Sequence, residues 1–142
     1  DFVSTMWGVG SGNMMQIANR VYYPHSLGFL YTAMTQYLGF WKYGDEYKVM
    51  GLAGYGQPKY KKEFRDIICP DSEKGFHLNL EYFIHHTTGI EMNWEDGYPT
   101  QGRCYSDELV KRFGPPRNPD EPITEHHQNL AATLHNTLNY SR

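Results

Sequence analysis

Between Pro24 and Gly39 the apolar residues Leu27, Leu30, Tyr31, Met34 and Leu38 recur at helical spacing. Intervals of three and four place all five on one face of an α-helix. Ser26 suits the N-cap, because its hydroxyl can accept from a first-turn amide that has no helical partner. Gly39 followed by Phe40 suits the C-terminal cap. These residues predict a helix over 26–38 with one buried face, the best-defined element of the chain.

The flanking segments follow from the same rules. Residues 2–7 are β-rich, Gly8-Val9-Gly10-Ser11-Gly12-Asn13 is a dense turn signal, and residues 14–23 supply a returning strand. The glycines suggest either this turn or a phosphate loop, but the Walker spacing and its Lys-Ser/Thr are missing, which favours the turn. Asp45 is placed to cap a short helix over 46–52, and residues 54–58 form a loop. Residues 60–68 suit a basic amphipathic helix with Tyr60, Phe64, Ile67 and Ile68 inward. Residues 70–75 break the chain, and Phe76, Leu78 and Leu80 alternate with polar residues as a half-buried strand. Residues 84–105 read as an irregular surface excursion. Ser106 caps a helix ending at Phe113 before Gly114-Pro115-Pro116, residues 117–122 are linker, and Thr124 caps a last helix carrying Leu130, Leu134 and Leu138. The mixture is α/β or α+β in character, with an antiparallel hairpin followed by helices.

The chain has 142 residues, enough for one domain with a core, and a net charge of −3, which gives no footprint for nucleic acid. Cys69 and Cys104 imply no disulfide framework and fit reduced thiols in a cytoplasmic protein. No apolar run reaches the roughly 20 residues a membrane helix needs. The chain has no initiator Met and reads as starting in a strand and ending in a helix, so an excised piece of a longer protein is expected.

The run Tyr23-Pro24-His25-Ser26-Leu27-Gly28-Phe29-Leu30-Tyr31, with Tyr37-Leu38-Gly39-Phe40, resembles a signature of the O-carbamoyltransferases of nodulation and antibiotic biosynthesis. It continues at that family's spacing into Glu46-Tyr47-Lys48-Val49-Met50-Gly51-Leu52-Ala53-Gly54-Tyr55-Gly56-Gln57-Pro58, departing at Gly54, where the family commonly has Pro. Weaker similarity runs through residues 76–83, 109–117 and 124–138. The resemblance implies a partial nucleotide-binding domain over 1–142, truncated at both ends. Its parent would be a large module of the actin, sugar-kinase and heat-shock-ATPase type (ribonuclease H-like), similar to the tRNA threonylcarbamoyl-transfer ATPase. A second module would make carbamoyl-adenylate from ATP and carbamoyl phosphate. The large module would pass the carbamoyl group to a hydroxyl of a small natural product or oligosaccharide, near iron or another divalent metal.

Against the tRNA-modifying relative, Gly28 would let a sugar or base approach the backbone in a helix's first turn. Thr32, one turn on, would offer a hydroxyl where that relative has a carboxylate. The alternative has Gly28 making room for a neighbour and Thr32 on a solvated face. His25 either faces an anion at the helix start or caps and packs. Glu46 and Lys48 flank Tyr47 and point apart, so they are not a simple ion pair, and Lys48 is the candidate for an anionic oxygen. Tyr55, between Gly54 and Gly56, either stacks on adenine or packs its loop down.

His85-His86 and His126-His127 are adjacent pairs that lack the i, i+4 spacing of metal-binding helices, so no metal is expected there. By the resemblance, the metal-histidine helix and the acidic phosphate turn lie outside this chain. Two readings stand: an enzyme fragment that is inactive alone, or a non-catalytic binding or assembly module, for which 12 tyrosines and 15% aromatic residues are equally suited.

Overall fold

The computed structural model describes residues 2–139. Two nine-residue strands, β1 (Val3–Ser11) and β2 (Met14–Tyr22), form an antiparallel hairpin turning at Gly12, whose φ is +59°. Helix α1 (Leu27–Tyr37) follows, with the Ser26 hydroxyl accepting from the Phe29 amide as its N-cap. Then come α2 (Glu46–Ala53), α3 (Lys61–Ile67), and a second ribbon, β3 (Ile68–Asp71) with β4 (Gly75–Leu78). A 3₁₀ turn (Leu80–Tyr82) and the one-turn α4 (His85–Thr88) lead to a third ribbon, β5 (Met92–Glu95) with β6 (Tyr98–Gln101). Helices α5 (Asp107–Phe113) and α6 (Glu125–Asn139) complete the order. The class is α+β: every strand pairing among the described residues is antiparallel, in three separate two-stranded ribbons, so the α/β alternative with a parallel sheet is not what this chain forms.

The predicted apolar face of α1 is the centre of the core. Leu30, Met34 and Leu38 are fully buried, and Val49 of α2, Phe64 and Ile67 of α3, Leu109 of α5 and Leu130 and Leu134 of α6 pack around them. Burying a side chain of this size contributes about 1.5–3 kcal/mol. Tyr37 is buried too, and its hydroxyl donates to the Gly114 carbonyl at 2.7 Å, so the phenol loses no hydrogen bond on leaving water. Burial, then the neighbouring tyrosines, push its pKa well up, which keeps it neutral.

Arg117, read from sequence as linker, is a buried fastening. Its guanidinium donates to the carbonyls of Leu38 (2.7 Å) and Pro119 (3.0 Å) and lies over the Phe40 ring. Gly39 (φ +83°) makes this possible, because a Cβ there would stand 2.7 Å from the Arg117 carbonyl oxygen and 3.0 Å from its guanidinium.

Four expectations differ. Pro70 lies inside β3 rather than ending the chain's order, which a two-stranded ribbon tolerates because every strand is an edge. The predicted strand starting at Phe76 stops at Leu78 and gives way to the 3₁₀ turn. Residues 84–105 are not irregular. Asp96 (φ +51°) and Gly97 (φ +82°) form a tight turn joining β5 to β6, the Asp-Gly hairpin signal that the sequence does carry. Asp45 does not cap α2 with its side chain. One of its oxygens accepts from the Lys42 amide at 3.3 Å and the other pairs with Lys48 at 2.7 Å.

His85 is fully buried beneath the start of α1. Its ring stacks on Phe29 with centroids 4.4 Å apart, Nε2 donates to the Pro24 carbonyl at 3.0 Å, and Nδ1 has no partner. Burial lowers its pKa below the ordinary 6.5, the Pro24 hydrogen bond opposes that, and His86 and His25 add to the lowering. The folded chain therefore binds this proton less well than the unfolded chain. The stability is complete above the unfolded value near 6.5 and is lost as pH falls through the folded value. His25 acts in the same direction, through burial and then His77 and His86. Melting temperature is expected to fall between pH 7 and pH 5, and His85→Gln to flatten that dependence. Equal slopes for the two proteins, measured by circular dichroism, would contradict the assignment.

Candidate functional site

Helices α1 and α2 diverge from the Lys42–Asp45 turn and leave a cavity of about 350 Å³ lined by Gly28, Thr32, Tyr43, Gly44, Glu46 and Gln101, with Ser26 and Phe29 at its edge. Thr32 lies one helical turn beyond Gly28, so both face the same side of α1. Glu46 opens α2, where a carboxylate is favoured by the helix dipole. The Thr32 hydroxyl donates to Glu46 Oε1 at 3.0 Å. That bond holds the carboxylate in one orientation and leaves its other lone pairs to accept from a ligand. The hydroxyl stands beside a carboxylate. It positions one that arrives from the next helix.

Gly28 is exposed, and a Cβ there would meet only the Ser26 hydroxyl oxygen at 3.4 Å. The position is therefore open toward the cavity rather than filled by a packed neighbour. Tyr31, next to Thr32, has a buried hydroxyl without a partner among the described residues, and burial, with the Glu46 charge, pushes its pKa up to about 12.

The structure brings together Gly28, Thr32 and Glu46 and disperses the other candidates. His25 uses Nδ1 to accept from the Leu78 amide at 3.2 Å, which ties the start of α1 to β4. Lys48 is held by Asp45 at 2.7 Å and lies toward the Phe40 ring, away from the cavity lining. Tyr55 is 79% exposed on its loop. Gly56 presses against the backbone of α6, where a Cβ would stand 2.0 Å from the Gln128 carbonyl oxygen. Tyr43, Gly44 and Gln101 were not singled out by sequence. Gln101 arrives only because the third ribbon folds onto α1, its carbonyl accepting from Gln36 at 3.3 Å. Gly44, with φ +90°, lies between the two recognised stretches, where a glycine before Asp45 is the only local sign of a turn.

Among the described residues no three His, Cys, Asp or Glu side chains converge as a metal would require. His126 Nδ1 meets the Tyr60 hydroxyl at 2.8 Å, and His127 Nδ1 accepts from the Thr124 amide at 3.0 Å. The described histidines thus do not fit a metal site. No described helix is long and apolar enough to cross a membrane. A larger groove of about 830 Å³ lies between the first hairpin, the second ribbon and α3, with Trp7, Arg65 and Phe76 on its walls. Its lining includes none of the candidate residues His25, Gly28, Thr32, Glu46, Lys48, Tyr55 and Gly56, so its size does not make it the better site.

The family model described as the carbamoyltransferase N-terminus matches residues 1–139. An uncharacterized protein of Synechocystis sp. is 35% identical over 133 residues, 92% of this chain and 19% of that protein. The nodulation protein NolO of Bradyrhizobium diazoefficiens is 40% identical over 84 residues, 57% of this chain and 15% of that protein. The nodulation protein NolNO of Sinorhizobium fredii is 33% identical over 145 residues, 97% of this chain and 17% of that protein. The chain thus spans less than a fifth of the length of these relatives. With a family match over nearly all its length, this chain belongs to the carbamoyltransferase family.

Proposed function

We propose that this chain forms one wall of the donor site in a parent enzyme that moves a carbamoyl group from carbamoyl-adenylate to a hydroxyl. The parent module has the actin and sugar-kinase type of fold. A second module makes the adenylate from ATP and carbamoyl phosphate, and any iron or other divalent metal is held by residues outside this chain. The reading is carried by one observation: Glu46, oriented by Thr32, faces the cavity that the glycine at position 28 leaves open.

The lining argues for the sugar end of the donor. It contains a carboxylate, hydroxyls and an amide but no lysine or arginine. A phosphate brought against Glu46 would meet like charge, whereas ribose hydroxyls would donate to it. Gly28 allows the ring to approach the first turn of α1 without a methyl group in the way. Lys48, tied to Asp45, steadies the turn before α2 and so acts on the site through position.

The parent protein, given labelled carbamoyl phosphate and ATP, is expected to form labelled carbamoyl-adenylate and, with an acceptor, a labelled carbamate. Glu46→Gln removes the charge while keeping the shape. Hydrogen bonds to a charged group contribute about 1.5–3 kcal/mol, so a drop of about 10- to 100-fold in kcat/KM for the donor is expected. A parent that forms no adenylate with any acceptor present, or a Glu46→Gln enzyme with unchanged donor kinetics, would sink this reading.

A further inference from the structure

We propose that the groove beside the first hairpin is an interaction surface within the parent protein. Its occupant is a segment of the parent from outside residues 1–142, apolar along its length and carrying a carboxylate. This does not depend on the donor-site reading, because it uses none of the residues placed in that site.

The groove holds about 830 Å³. Thr5 and Trp7 of β1 line it, and because side chains alternate along a strand they share one face of the hairpin. Leu27 of α1, Ile68 of β3 and Phe76 of β4 supply the rest of its apolar lining. The hairpin and the second ribbon meet closely there. Gly75 has φ +84°, and a Cβ on it would stand 2.6 Å from the Trp7 ring. The indole is thus seated against β4 on one side, yet Trp7 remains 40% exposed.

The charge along the groove is of one sign. Lys61 and Arg65 lie four residues apart on α3 and both line it, and no aspartate or glutamate does. Arg65 is exposed and makes no ion pair among the described residues. Its acidic neighbour Asp66 pairs with Arg112 instead. A carboxylate entering the groove would meet positive charge, no like charge, and a charge-assisted hydrogen bond from the guanidinium. Apolar side chains beside it would settle on Trp7, Phe76 and Ile68 and take that surface out of water.

A polypeptide fits better than a small ligand, because the bare apolar surface continues past the groove. On the hairpin, Met6, Val9, Met14 and Met15 are each more than half exposed. A small molecule filling the groove would leave them in water, and exposed apolar surface on this scale marks an interface. A lone two-stranded hairpin is also marginal at best in water, and this one pairs with no third strand among the described residues. The parent is the source of the cover. The chain spans less than a fifth of the length of its relatives, so most of such a protein lies outside residues 1–142. A segment of the same chain is held at high local concentration and loses little further freedom on docking.

The test uses the intact parent and zero-length carbodiimide coupling, which joins a lysine only to a carboxylate in contact with it. Peptide mass spectrometry is expected to find Lys61 joined to an aspartate or glutamate outside residues 1–142. In a mixture of ordinary and heavy-nitrogen-labelled parent, that link should never join the two isotopes. Arg65→Glu should cut the yield of the link about tenfold through like charge, and should speed hydroxyl-radical oxidation of Trp7. Arg65→Lys should leave both near wild type. Because Arg65 is exposed, both variants should melt with wild type, which separates lost docking from lost fold. Three results would each overturn the proposal: no link from Lys61 to the outside segment, a mixed-isotope link (a second copy in the groove), or Trp7 oxidation unchanged by Arg65→Glu.

Discussion

Gly56→Ala is expected to destabilise the fold by about 3 kcal/mol, at the upper end of what added core volume usually costs. The loop after α2 passes α6 so closely that a Cβ on Gly56 would lie 2.0 Å from the Gln128 carbonyl oxygen, 2.3 Å from its carbonyl carbon and 2.7 Å from the Asn129 amide nitrogen. All three are backbone atoms inside a helix, so no rotamer change relieves the overlap. Helix α6 would have to move off, and two bonds that seat it would go with it. These are the Gln57 amide to Asn129 Oδ1 at 2.7 Å and the Tyr60 amide to Thr133 Oγ1 at 3.2 Å. Leu130 and Leu134, fully buried at the same seam, would lose their packing. Gly28→Ala is the control, since its Cβ meets only a serine hydroxyl at 3.4 Å, and stability within about 0.5 kcal/mol of wild type is expected. Urea unfolding of the two variants decides the matter. A Gly56→Ala midpoint equal to that of Gly28→Ala would show that the loop after α2 has room for a methyl group beside α6.

Removing the rest of the parent should abolish function altogether. The isolated chain is expected to show no carbamoyl transfer, and to bind ATP no tighter than about millimolar, roughly −4 kcal/mol. Transfer requires the adenylate to be held while its carbonyl is polarised and a hydroxyl is aligned. Of the candidate residues, only Gly28, Thr32 and Glu46 share the cavity. They form a wall of α1 and the start of α2, without a cation to meet the phosphates. A one-sided site buries little of its ligand and leaves most of the ordering cost uncompensated. Calorimetric titration of the chain with ATP measures this, and a micromolar saturable isotherm would mean a complete nucleotide site within these residues.

The local elements were legible wherever one rule dominated. The apolar spacing from Leu27 to Leu38, the Ser26 cap and the hairpin before Pro24 each specify their element through contacts close in sequence, and each is present, although β1 runs on through Gly8–Ser11 and leaves only Gly12-Asn13 as the turn. The family was legible for the same reason, because its motif residues lie in short stretches close together in the chain, between Tyr23 and Pro58. Where two rules competed, sequence misjudged the outcome. The spacing of Tyr60, Phe64, Ile67 and Ile68 carried the helix to Ile68 and Pro70 marked a break, yet Ile68 opens β3 and an edge strand accepts proline; the many loop-forming residues of 84–105 hid the Asp96-Gly97 hairpin turn.

Side-chain partnership was decided by tertiary structure alone. Spacing indicated that Glu46 and Lys48 do not pair, but not that Glu46 would turn to Thr32 of α1 while Lys48 turned back to Asp45. Gly28 and Gly56 look alike in a sequence. One opens onto a cavity and the other is clamped against α6, because the helices crossing at the second site arrive from 72 residues away in the chain, the separation of Gln57 from Asn129. Gln101 likewise joins Glu46 only after the third ribbon has folded onto α1. Residue periodicity determines which face each helix buries. Which side chains then meet depends on where those faces dock, and no local pattern in the chain encodes that.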